Sequence, residues 1–386
     1  MSTTKRSGIV SEVIKMLAAA GVFFLLMPVF AEPQSDLSGE LKTGREIYLK
    51  ACAGCHGADG KGQPQSRVGF DTPIPDFTDC DFASREPQAD WVAIAHQGGP
   101  VRGFSRLMPS FGRVLKVEEL ELAVRYINTL CTNKNWPRGD LNLPRPLYTG
   151  KAFPEDELVV SVAADEDWSK ITNKIVYEQR FGARNQWEIV FPFGWNKMQD
   201  PNGPDSGTDW GSSLGDIALA VKRAFYHSGE RGSIFSATAE LILPTGDETR
   251  GFGKGTFVLE PFLTYGQILP SDFFFQSQLG LELPFQSDRA KKEAFLRMAL
   301  GRTFTSGPWG RAWSPMIELL TARELKGGAK IHWDVVPEIQ ITLNTRQHIM
   351  LNFGVRIPIN DRERRPVQFM AYILWDWFDG GFFEGW

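Results

Sequence analysis

The sequence predicts a multidomain chain in which a small helical domain is followed by an antiparallel β-barrel of about twelve strands. Two observations predict it. Residues 52–56 read Cys-Ala-Gly-Cys-His in a helix-patterned region, and from about residue 157 to the end apolar and polar side chains alternate with period two. Composition alone shows neither. A chain of 386 residues, 42% hydrophobic and with a formal net charge of −4, describes an ordinary two-domain protein without bias toward nucleic acid.

Residues 1–31 read as an export signal. Lys5, Arg6 and Lys15 precede an apolar stretch from about Met16 to Phe30, and Val29-Phe30-Ala31 offers a cleavage site. A retained anchor is the alternative, but the stretch is short for a spanning helix and ends in a small residue. No cysteine lies just past Ala31 to carry a lipid. Export leads to an oxidising compartment, where Cys80 and Cys131 can pair if the fold brings them within reach.

The C-x-x-C-H spacing lets two thiols reach the two vinyl groups on one porphyrin edge while the imidazole folds beneath the iron. It therefore predicts one covalent haem c, attached through Cys52 and Cys55 and ligated by His56. A zinc half-site would want a second ligand pair at similar spacing, which the sequence lacks; a redox C-x-x-C is the other alternative. Met108, in Arg-Leu-Met-Pro-Ser-Phe-Gly, is the expected second axial metal ligand. Its thioether is soft and neutral and favours reduced iron, and Pro109 stiffens the loop. His96 is the rival ligand, in a stretch that reads as a helix before the Gly98-Gly99-Pro100 turn. With either, the iron has no open position for oxygen or peroxide, so an electron carrier is expected rather than an enzyme.

With these motifs, residues 40–131 resemble the class I cytochrome c domain. A first helix carrying Gly44 and Tyr48 runs into the C-x-x-C-H run, Gly-Ala-Asp-Gly-Lys-Gly follows His56, and the Met108-Pro109 loop comes next. A closing helix over about 117–130 places Leu120, Val124 and Ile127 on one face. The resemblance implies an all-α domain over residues 32–131. Residues 132–156 contain Trp136-Pro137-Arg138-Gly139 and Leu143-Pro144-Arg145-Pro146, an extended and semi-stiff composition. We expect a passive spacer there; resting on the haem domain or entering the barrel as a partial plug are the alternatives.

The barrel is expected over residues 157–386. Ile349, Leu351, Phe353, Val355, Ile357 and Ile359 share one face, opposed by Asn352, Gly354 and Arg356. Twelve such segments are expected, at about 158–165, 171–181, 186–195, 214–226, 233–243, 256–268, 272–284, 293–305, 312–323, 330–343, 347–359 and 366–377. Many have the length a tilted strand needs to cross a bilayer, with aromatics near their ends; a soluble sandwich would normally use shorter strands. Odd-numbered connections should be the long ones, and Asn196–Ser213, Pro244–Gly255 and Pro284–Lys292 agree, while Leu269-Pro270-Ser271 and Asn344-Thr345-Arg346 are tight turns. The polar face carries Glu188, Asp216, Glu240, Glu260, Glu282, Glu318, Asp334, Glu338 and Asp376 with Lys222, Arg297 and Arg356. Such a face is either a paired network filling a narrow lumen or the lining of a pore, and a largely filled lumen is expected.

The terminal Trp386 resembles the aromatic ending of Gram-negative outer-membrane barrels, and Leu243-Pro244-Thr245-Gly246-Asp247 resembles a turn of the barrel family associated with phenol degradation and transport. Asp379-Gly380-Gly381 interrupts the last strand and departs from that pattern. Together the readings describe a periplasmic haem domain, anchored in outer-membrane lipid by its own barrel, that exchanges electrons with periplasmic redox proteins. The alternative is an outer-membrane channel for a small solute with an appended cytochrome. With no second C-x-x-C-H, one haem cannot by itself carry electrons across a membrane.

Overall fold

The computed structural model describes residues 37–70, 73–198, 209–305 and 310–377. The expected export signal, part of the Asn196–Ser213 connection, the Asp379-Gly380-Gly381 interruption and Trp386 lie outside the described residues.

Among the described residues the N-terminal region holds six α-helices: α1 (Leu37–Ala51), α2 (Ala53–His56), α3 (Gln65–Val68), α4 (Cys80–Ala83), α5 (Gln88–Gln97) and α6 (Val117–Leu130). At the start of α6, Glu119 accepts the Lys116 N–H at 2.8 Å and Glu118 adds a second first-turn carboxylate. The expected apolar face is realised. Leu120, Val124 and Ile127 are buried, each burial worth roughly 1.5–3 kcal/mol. Helix α1 crosses α6 at Gly44, where any Cβ would strike the Leu122 carbonyl. Cys80, at the start of α4, and Cys131, just beyond α6, form a disulfide with a sequence separation of 51 residues. Cys131→Ala should cost this region about 4 kcal/mol on the chain-entropy argument, read as a lower urea midpoint of its helical signal.

The C-terminal region is one antiparallel sheet: β1 (Glu157–Asp165), β2 (Lys170–Phe181), β3 (Asn185–Met198), β4 (Asp209–Leu214), β5 (Ala218–Ser228), β6 (Ser233–Ile242), β7 (Val258–Ile268), β8 (Phe273–Pro284), β9 (Glu293–Arg302), β10 (Phe304–Thr305), β11 (Ala312–Glu324), β12 (Ile331–Thr342), β13 (Ile349–Pro358) and β14 (Gln368–Asp376). β4 and β5 both pair with β3, and β9 and β10 both pair with β11, so each couple is one barrel strand with a break. β1 pairs with β14 from Glu157↔Asp376 to Asp165↔Gln368, which closes a twelve-stranded barrel. The expected segments match these strands in order, with ends shifted by a few residues.

Alternation puts Val160, Trp187, Phe191, Leu219, Ile317 and Phe353 on the outer face, where they are exposed, and buries Glu318, Asp334, Glu338 and Lys222 inside. Asp216 departs from the expected inner row. The strand break around Gly215–Ile217 leaves its carboxylate to accept the Gly246 N–H at 2.9 Å and the Lys254 N–H at 2.7 Å, so it fastens the 243–257 connection. One rim carries long connections, 243–257 and 285–292; the other carries the tight turns 182–184, 229–232, 269–272 and 343–348. The Ser271-Asp272 turn is built from two successive residues at φ 60° and 62°, a left-handed pair that matches hairpin twist. Among the described residues no helix is long and apolar enough to cross a membrane, which says nothing of the strands.

The Pro-rich segment does not act as a passive spacer. After a 3-10 turn at Gly139–Leu141 it threads the lumen before entering β1. The physical reason is charge: the inner face holds more carboxylates than bases, and this segment supplies Arg145 and Lys151 together with backbone donors.

Candidate haem site and the plugged barrel

Tyr48 of α1 is completely buried and donates its hydroxyl to the Gly57 carbonyl at 2.6 Å, which fixes the turn directly after the C-x-x-C-H run. The α2 turn brings Cys52, Cys55 and His56 together: the His56 N–H donates to the Cys52 carbonyl at 2.9 Å and the Cys55 N–H to the same carbonyl at 3.2 Å. Gly57, at φ 76°, and Gly60, at φ 81°, then turn the chain in conformations that favour glycine. The His56 ring stacks on Phe77 with centroids 4.7 Å apart. Its Nδ1 is sealed from solvent and has no hydrogen-bond partner among the described residues.

Burial lowers the His56 imidazole to about 4, so the ring is neutral at pH 7 and keeps the lone pair a metal needs. Burial also pushes the Cys52 thiol up to about 11, with Cys55 beside it adding to the shift. Both cysteines are half-buried and unbridged, unlike Cys80 and Cys131. Two neighbouring thiols beside a neutral imidazole are the donor set that a c-type haem requires.

Met108 lies on a separate loop and is half-buried. Its carbonyl accepts the Gly99 N–H at 3.2 Å, and its own N–H donates to the Ser105 carbonyl at 3.1 Å. His96, near the end of α5, packs its ring against Gly112 where that loop returns.

The lumen forms a second constellation. Glu318, with no exposed surface, accepts three donors from the plug: Tyr148 N–H at 3.0 Å, Thr149 N–H at 2.7 Å and the Thr149 hydroxyl at 2.6 Å. Arg145 bridges Glu157 and Glu178, the latter at 3.0 Å, and Lys151 pairs with Glu155 at 2.5 Å. Glu338 accepts the Leu147 N–H at 3.0 Å, while the side chains of Gln276 and Asn352 donate to plug carbonyls of Pro144 and Arg145. Glu338 and Glu318 stood on the expected inner face; Glu157, Glu178, Arg145 and Thr149 were missed. A signal for them existed in the surplus of inner-face carboxylates, which required cations from elsewhere in the chain.

The helical region sits on the tight-turn rim. Arg85 pairs with Asp156 at 2.7 Å, Arg184 donates to the Asn135 side chain at 2.8 Å, and His348 Nε2 lies 3.0 Å from Glu86. A cavity of about 280 Å³ remains where this region, the plug and the rim meet, lined in part by Glu86, Asn142, Arg145 and Met350.

Residues 39–127 match the family described as cytochrome c oxidase, cbb3-type, subunit III. Residues 161–314 match the family described as putative MetA-pathway of phenol degradation. The chain thus joins a region that matches a cytochrome family to a closed twelve-stranded antiparallel β-barrel. No curated protein matches it. Among solved structures, an outer-membrane channel from Pseudomonas putida F1 is similar at 13% identity, covering 61% of this chain and 100% of that one with a TM-score of 0.41. The KdgM porin in complex with disordered oligogalacturonate is similar at 8% identity, covering 57% and 99% with a TM-score of 0.38. The NanC porin gives 7% identity, 57% and 98% coverage and a TM-score of 0.39.

Proposed function

We propose that this protein is a single-electron carrier whose haem c domain is held in the periplasm, against the inner mouth of its own outer-membrane barrel. The observation that carries this reading is the α2 turn, where two unbridged thiols stand beside a neutral imidazole with an unpaired ring nitrogen. Cys52 and Cys55 would hold one haem covalently, and His56 and Met108 would bind its iron. When bound, the group supplies reversible one-electron chemistry at iron. The chain's own part would be to offer the iron both His56 and Met108, which would favour electron exchange with periplasmic redox proteins over turnover of oxygen or peroxide. We read residues 1–31 as the export signal, 32–131 as an all-α class I cytochrome domain, 132–156 as a linker that doubles as the plug, and 157–386 as the barrel.

The orientation rests on topology. Twelve strands return both barrel ends to one side, and outer-membrane barrels keep their short turns on the periplasmic side. The helical domain sits on that rim. Reduced-minus-oxidised spectra of the purified full-length protein test the ligand set: Met108→Ala should remove the methionine-to-iron charge-transfer band and lower the haem potential, with covalent haem retained. Absence of that band from the unaltered protein, with a spectrum changed by His96→Ala and not by Met108→Ala, would assign the ligand to His96.

A second reading is a channel for a small solute that carries a cytochrome for coupling to a periplasmic oxidoreductase. Two observations favour it: the barrel matches a family named for phenol degradation, and a cavity of about 280 Å³ opens beside the plug. Planar-bilayer recording separates the two. The anchored carrier predicts a closed barrel, and steady unitary conductance in the unaltered protein supports the channel.

A further inference from the structure

Met108 lies in a loop that begins at Gly98 and returns at Phe111, where the Phe111 and Gly112 N–H groups donate to the Ala95 and His96 carbonyls at 3.0 and 2.9 Å. Those bonds fasten the return to α5. The far end, at Gly103 and Phe104, meets the barrel instead. The Arg346 guanidinium lies 4.7 Å from the centroid of the Phe104 ring, and a Cβ on Gly103 would stand 3.6 Å from Arg346 Nε. Next to this contact, Arg102 donates twice to Asp90 Oδ1, at 2.8 and 2.6 Å, and Gln347 donates to the same oxygen at 3.3 Å. His348 reaches Glu86, just before α5. One barrel turn thus holds both the start of α5 and the outer end of the Met108 loop.

We propose that the Arg346–His348 turn is a positioning element for the haem site: the barrel holds the Met108 loop in its ligating arrangement. The inference rests on Met108 as the axial ligand. A loop ligand binds in proportion to the fraction of time its loop is in place, so a clamp outside the domain strengthens ligation without touching iron. It also gives the fusion a physical role, because the redox site is complete only on its barrel.

The test titrates ferric full-length protein with imidazole, which competes for the methionine position. Arg346→Ala combined with Gln347→Ala should let imidazole bind about tenfold more tightly, the scale of losing one such contact, and should weaken the charge-transfer band while covalent haem is retained. Arg346→Lys keeps the cation and should restore most of the unaltered behaviour. Phe104→Leu removes the other side of the contact without altering the barrel; it should reproduce the effect and add little to Arg346→Ala. If imidazole affinity and the band stay unchanged in both the barrel variant and Phe104→Leu, the positioning role is wrong while the carrier reading stands. If the band survives Met108→Ala, the ligand assignment fails first, and this inference with it.

Discussion

Replacement of Cys52 and Cys55 by serine is expected to abolish haem that survives denaturing electrophoresis, while the barrel still inserts. The two thiols provide the only covalent attachment the donor set offers, since Cys80 and Cys131 are consumed by their disulfide. The effect should be complete rather than graded, because a serine hydroxyl does not form the thioether and His56 alone would leave a dissociable haem. A single serine at either position should give a lower yield and a shifted absorption maximum. Heat-modifiable migration of the barrel should be unchanged, because its closure rests on the pairing of β1 with β14 and not on the α2 turn. Haem stain at normal intensity in the double variant would contradict the attachment.

Arg145→Ala is expected to have the second largest effect and to fall on the barrel. Arg145 holds Glu157 and Glu178, both essentially inaccessible to solvent, and removing one partner of a buried ion pair typically costs about 3–5 kcal/mol. Lys151 lies 3.7 Å from Glu157 and retains a weak hold on it, so Glu178 bears most of the loss. The carboxylates then need water, and water entering beside the plug should open a conducting path. Planar-bilayer recording should therefore show frequent openings in Arg145→Ala and few in the unaltered protein. Adding Glu157→Gln and Glu178→Gln removes the stranded charges and should quieten the barrel again. Equal conductance in all three would contradict the plug as the seal.

The two halves of the chain were legible for different reasons. Cys52, Cys55 and His56 announce themselves because the chemistry fixes their spacing, and the strands because a closed barrel imposes alternation on every segment. The breaks at Gly215–Ile217 and Thr303 were less visible, since one or a few non-paired residues scarcely disturb a period-two pattern. The plug was hidden for a deeper reason. A proline-rich polar segment looks the same whether water or a ring of carboxylates satisfies its donors, and long-range contacts such as those of Glu318 with Tyr148 and Thr149 distinguish the two. The contact of Arg346 with Phe104 is likewise a long-range pairing that no local pattern encodes.

The central claim is that one polypeptide fixes a covalent haem to the outer membrane through its own barrel. Haem staining of separated outer-membrane and soluble fractions, run on one gel with and without boiling, tests it most directly. The account predicts a single haem-stained band in the outer-membrane fraction whose mobility shifts on boiling, as a folded barrel's does. A band that carries no haem, or a haem-stained full-length chain recovered in the soluble fraction, would contradict it.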